Sequence, residues 1–141
     1  PKRRLSIKLN PGLLPEAPTA RATVLRALVF IAANCYAAIS VHDYPERWTT
    51  ASTRPAQLKV RAGARAALHR HWLVFADQFG AEPFIGGRRP GAADLLAAVV
   101  SHWAGARALL AAQRPALHAL LERVEAQPAL APVFRRHWPG G

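Results

Sequence analysis

Arg21-Ala22-Thr23-Val24-Leu25-Arg26-Ala27-Leu28-Val29-Phe30-Ile31-Ala32-Ala33-Asn34-Cys35-Tyr36 is apolar at nearly every position of its length. Val24, Leu28, Ile31, Cys35 and Ile39 recur at spacings of four, three, four and four. That rhythm lays them along one face of an α-helix. Leu25, Val29, Ala32 and Tyr36 form a second stripe beside the first, and Phe30, Ala33 and Ala37 nearly close the circle. A helix apolar on most of its circumference is covered by neighbours on several sides. The segment is therefore expected to be the central helix of a bundle, or to face a partner subunit as well. Pro18 suits its first turn, and Glu16 puts negative charge near the positive end of its dipole.

The flanking sequence supports a bundle. Upstream, residues 1–16 read as a basic, proline-punctuated lead-in or remnant linker. Within it Leu5-Ser6-Ile7-Lys8-Leu9 alternates like a short strand, and Asn10-Pro11-Gly12 ends it as a turn. Downstream, residues 43–55 form a connector with two prolines. A second long helix is predicted from Ala56 to Phe79, with Leu58, Ala62, His69, Trp72, Ala76 and Phe79 on its inner face and Arg61, Arg65 and Arg70 in solvent. Gly80 is placed to end it as a left-handed cap. The loop Phe84-Ile85-Gly86-Gly87-Arg88-Arg89-Pro90-Gly91 must dock its two apolar residues on the core. A third helix starts near Ala92, with Leu95, Leu96, Val99, Val100, Trp103 and Leu110 inward. A fourth begins at Pro115 with Leu117, Leu120, Leu121 and Val124, and Pro128 opens a last short one with Leu130, Val133 and Phe134. The expected class is all-α: a helical bundle of four to six helices over residues 17–141, with short connections and no repeat.

Composition bounds the rest. The 141 residues suffice for one domain with a hydrophobic core, and 51% hydrophobic against 19% charged residues is globular and not disordered. One cysteine, Cys35, excludes an intrachain disulfide framework. Arg26 and Asn34 interrupt the best apolar run, so no membrane span is expected. Pro1-Lys2-Arg3-Arg4 is not followed by the apolar stretch of a signal peptide, so the expected location is cytoplasmic. The net charge of +11 invites a polyanionic partner. Yet 16 of the 19 basic residues are Arg, scattered along an Ala-rich chain as a GC-rich genome would write it. The aromatic residues do not interleave with them in sequence, so nucleic acid is not the expected partner.

Three stretches resemble the C-terminal helical domain of glutathione S-transferases. The first is the opening stretch above, followed by Tyr44-Pro45-Glu46-Arg47-Trp48. The second is Phe84-Ile85-Gly86-Gly87 with Ala92-Ala93-Asp94-Leu95, similar to the loop that feeds a buried capping box in that family. The third is Pro115-Ala116-Leu117-His118, Arg123-Val124 and Pro128-Ala129-Leu130, which looks like the closing helices. The resemblance implies conjugation of glutathione to an electrophile as the family activity, with glutathione a co-substrate that this chain alone does not bind. It also implies a partner, either a second copy in a homodimer or a thioredoxin-like domain. That second domain activates the thiol in the family, and about fifteen residues before the helices are too few for a βαβ unit. The expectation is a shortened, catalytically silent half. The alternative is a non-catalytic interaction module, protein-binding or RNA-adjacent. The resemblance also places Asn34, Tyr36, His102 and Trp138 near the pocket for the electrophile, a small molecule.

The remaining candidate residues read structurally. Asp94 sits three residues after Gly91, where an acidic side chain bonds back to the N-cap amide, while a glycine N-cap offers no side-chain oxygen for the reciprocal bond. Both are expected to cap a helix, and no residue is assigned a catalytic role. Cys35 reads as a small buried hydrophobe. His69 and His71 are two apart and cannot share a helical face, and His42, His102, His118 and His137 show no ligand spacing, so no metal is expected. Arg88 and Arg89 read as solvated loop charges.

Overall fold

The computed structural model describes residues 12–80 and 82–140. Among these described residues six helices make up the fold: α1 Pro18–Asp43, α2 Arg54–Phe79, α3 Ala92–Val100, α4 Ala106–Gln113, α5 Pro115–Glu125 and α6 Ala131–His137. Among the described residues there is no strand, only a lone bridge between Phe84 and Gly87, so the chain is all-α as expected. The strand-like Leu5–Leu9 and the turn residues Asn10 and Pro11 lie outside the described residues. Gly12 sits in a turn.

The core is one cluster drawn from every helix. Val24, Ala27, Ile31 and Cys35 of α1 meet Leu68, Trp72, Phe75 and Phe79 of α2, Ala93, Ala97 and Val100 of α3, and Leu110, Leu120 and Phe134 of the later helices. Small residues on α3 let it approach α1 closely, and the rings of Phe30, Phe75 and Phe79 fill the wider space between α1 and α2 at centroid distances of 5.0 to 5.8 Å. Phe84 and Ile85 are buried, as the loop reading required. All four apolar residues assigned to α5 point inward.

Six expectations change. The second stripe of α1 is uncovered: Leu25, Val29 and Tyr36 are exposed, Val29 by 65%. Helix α1 is also long and apolar enough to cross a membrane by length and composition, Arg26 and Asn34 notwithstanding; its buried stripe packs in the core. On α2, the inner face is Ala64, Leu68, Trp72, Phe75 and Phe79; Leu58 and Ala62 lie in solvent because the N-terminal half of α2 packs on the end of α1 from one side only. Gly80 leaves α2 extended (φ −58°, ψ 130°) and not left-handed; a Cβ there would stand 2.7 Å from the Ala76 carbonyl oxygen. The predicted third helix is two helices, α3 and α4, bent by 95° at Ser101–Gly105. Ala104 (φ 52°) and Gly105 (φ 78°) are both left-handed there, and Trp103 is turned outward, 36% exposed. Helix α6 begins at Ala131, three residues after Pro128, and Val133 faces solvent.

Candidate functional site

Asp94 is a buried carboxylate bonded to backbone amides of two segments. Its side chain is fully buried, and its carboxylate accepts three backbone N–H groups: Ile85 at 2.7 Å, Gly86 at 2.9 Å and Gly91 at 2.8 Å. The last is the capping bond expected from sequence. The other two tie the Phe84–Gly87 loop to the first turn of α3, so one side chain fixes both pieces. A charged acceptor in a low-dielectric site makes strong hydrogen bonds and leaves no donor unpaired. Glycine is required at position 86, where a Cβ would lie 2.9 Å from the Gly91 nitrogen. The Ala92 N–H, at the first position of α3, donates to the Leu13 carbonyl at 2.9 Å, which satisfies one of the amides that open the helix. Asp94 and Gly91 are both buried, and both carboxylate oxygens are taken by backbone amides.

The open surface with aromatic character lies at the bend between α3 and α4. The Trp138 indole stacks on the His102 imidazole at 4.3 Å with 10° between planes. Trp103 meets Trp138 edge-on at 6.5 Å. Trp103 then lines a cleft of about 220 Å³ with Tyr36, Ile39 and Tyr44. On the other side, His102 and Trp138 line a second cavity of about 450 Å³ with Phe134, Glu122 and Glu125. Three of the four proposed pocket residues, Tyr36, His102 and Trp138, thus fall along one aromatic strip. The fourth does not. Asn34 donates through Nδ2 to the Phe30 carbonyl at 3.1 Å and lines a different groove, of about 620 Å³, between α1 and α2 beside Trp48 and His71.

A polar network anchors the strip. Arg107 of α4 bonds the Glu125 carboxylate of α5, the Ser101 hydroxyl through Nε at 2.6 Å and the Ala98 carbonyl at 2.9 Å. His102 Nε2 lies 2.9 Å from the same Glu125 oxygen. Burial, and then the Arg107 charge, hold the His102 imidazole below its usual pKa, against the opposing pull of Glu125. Neutral, it donates to Glu125 through Nε2–H and offers a flat face to Trp138. Ser101, His102 and Glu125 do not form a nucleophilic triad. The Ser101 hydroxyl is fully buried and donates to the Ala98 carbonyl at 3.2 Å while accepting from Arg107, so it has no bond to the imidazole. Arg107 and Glu125 were not singled out from the sequence. The available signal was a charge set beside inward apolar residues on each helix, Ala106 before Arg107 and Val124 before Glu125.

Cys35 offers no chemistry either. Burial pushes its thiol up to about 12, so it carries no thiolate at neutral pH. Among the described residues no group of His, Cys, Asp or Glu side chains is placed to hold a metal ion. Compared with protein-family models, with curated proteins and with solved structures, the chain matches none.

Proposed function

We propose that this chain is the helical half of a glutathione transferase-like protein, and that it supplies the apolar wall against which an electrophile is held. The observation that carries the reading is the Asp94 clamp. The family signature that the Phe84–Gly87 and Ala92–Leu95 stretches resemble couples a loop to a buried capping acid, and here one carboxylate takes the amides of Ile85, Gly86 and Gly91. The strip of Tyr36, Trp103, Trp138 and His102 is the wall itself. Ligand pockets are mostly apolar with a few placed polar groups, and the strip ends on the His102–Glu125 pair.

Conjugation needs a thiolate from a thiol whose free pKa is near 8.5. A donor must stabilise the developing charge beside the sulfur, and no group along the strip is placed to do so. His102 is engaged with Glu125, and Cys35 is buried and protonated. The thiol-activating group and most of the glutathione contacts belong to a thioredoxin-like unit outside these residues. The 141-residue chain should therefore show no turnover of glutathione with an aromatic electrophile above the uncatalysed rate. It should still bind an unreactive dinitrobenzene with saturable quenching of tryptophan fluorescence, weakened by Trp103→Phe and Trp138→Phe. Turnover near that of an ordinary transferase, or no saturable quenching, would overturn the reading.

The uncovered stripe Leu25, Val29 and Tyr36 favours a second reading, a module whose role is assembly with another protein. Sedimentation of the chain across concentrations separates the two. Self-association abolished by Val29→Glu, without dinitrobenzene binding, would favour the module.

A further inference from the structure

Helix α2 carries Arg54, Lys59, Arg61, Arg65 and Arg70 before its one acidic residue, Asp77. Asp77 is already taken by Arg114 at 2.7 Å. Among the described residues, none of the five cations has a carboxylate within 4 Å; the ion pairs of the fold are made by Arg107, Arg114, Arg123 and three histidines. At about 100° per residue, Arg54, Arg61 and Arg65 fall within roughly 40° of one another around the helix. They make one exposed stripe, with Arg61 and Arg65 about 6 Å apart along the axis.

The stripe leads to exposed rings. Arg65 donates through Nε to the Ala104 carbonyl at 3.1 Å, and His69 approaches the same oxygen at 2.8 Å. The preceding residue, Trp103, is turned outward and shares its cleft with Tyr44, which is 47% exposed. The Arg47 guanidinium covers one face of the Tyr44 ring at 4.3 Å. Cations and aromatic rings that are far apart in sequence thus meet on one side of the molecule, from α2, the bend and the connector after α1.

We propose that the Arg54–Arg61–Arg65 stripe, with Trp103 and Tyr44 at its end, is a binding surface for single-stranded nucleic acid. The arginines take phosphates along one strand, and the rings take bases. A guanidinium matches a phosphate with paired N–H donors. Ring stacking is available only to a strand whose base faces are exposed. An acidic peptide would use the arginines and leave the rings without a partner, which is why nucleic acid is the better fit.

The test is fluorescence anisotropy of a labelled uridine 20-mer with the full chain. Three neutralised phosphates give a slope of log K against log salt of about −2, so affinity should fall about 20-fold between 50 and 200 mM salt. Arg54→Glu/Arg61→Glu changes two side chains that make no hydrogen bond or ion pair among the described residues. It should weaken binding at least tenfold and flatten the slope by about 1.4. Tyr44→Ala should weaken binding about fivefold or more with the slope unchanged, since stacking releases no counterions. Arg88→Glu/Arg89→Glu alters net charge equally on a distant loop and should stay within twofold. Equal loss from the loop pair would mean net charge alone, and full competition by polyglutamate would mean an acidic-protein surface. Either result, or no binding at 50 mM salt, overturns the proposal. Circular dichroism and thermal midpoints of each variant separate lost contacts from lost folding.

Discussion

Asp94 and Cys35 are both fully buried on helices that meet in the core, yet their side chains do opposite things. Asp94 is held by three amides, and removing it strands three buried donors. Asp94→Ala should cost about 3–5 kcal/mol in denaturant unfolding. Asp94→Asn should cost less, because an amide oxygen can still accept from Gly86 and Gly91, but its NH2 group would face the Ile85 N–H. Cys35 has the reverse character, a thiol that burial pushes up to about 12 and that the core excludes from reagents. A maleimide should label it on the order of 10³-fold more slowly in the native chain than in denaturant. Rapid native labelling would mean that α1 opens on its own. Both roles were legible in the sequence, Asp94 from its spacing to Gly91 and Cys35 from its place in an apolar stripe. The amides of Ile85 and Gly86 were not, because a loop's route back to a helix start is written in tertiary packing and not in spacing.

Among the elements, the broken third helix is the instructive case. Ala92 to Gln113 has helical periodicity nearly throughout, and neither a proline nor an isolated turn signal announces a break apart from Gly105. What breaks it is the demand that α3 pack on α1 while α4 packs on α2 and α5. The bend takes up that demand in two left-handed residues, one suited to it and one not. Ala104→Gly should therefore stabilise the fold by up to about 1 kcal/mol, since alanine there carries the left-handed cost. Gly105→Ala should destabilise it by about 1–2 kcal/mol, and its Cβ would stand 2.9 Å from Arg65 Nη2. Opposite signs at adjacent positions, read as shifts in thermal midpoint, check the assignment. The inner face of α2 differs from its sequence pattern for a related reason. Periodicity gives a stripe's direction relative to its own residues, whereas the side that is covered depends on which neighbour arrives.

At the scale of the whole molecule, the bundle's stability should depend on pH through two histidines. His71 is held below its ordinary pKa by burial first and the Arg70 charge second, and His102 by burial first and Arg107 second. A histidine whose folded pKa is depressed binds more protons when unfolded. Its contribution is fully present above the unfolded value near 6.5 and is lost as pH falls through the folded one. The thermal midpoint should therefore be higher at pH 7.5 than at pH 5, and His102→Gln should reduce the difference. A midpoint rising on acidification would contradict the placement of both rings. The same scale limits what a sequence can say of the site. Tyr36, His102 and Trp138 could be named singly, but their alignment with Trp103 depends on the 95° bend.

Within α1, residues Ile31–Tyr36 form a π turn, which winds one more residue into the helix than regular pairing would. Such a turn behaves as a tolerated insertion. Deleting Ala32 or Ala33 should let ordinary pairing close while the segments on either side keep their phase, so Val24 and Ile39 would still reach the interior. The same deletion at Ala66 in α2, where no surplus exists, would rotate everything beyond it by about a quarter turn and carry Trp72 out of the core. Length variation in this chain should thus be absorbed at one marked place and resisted elsewhere.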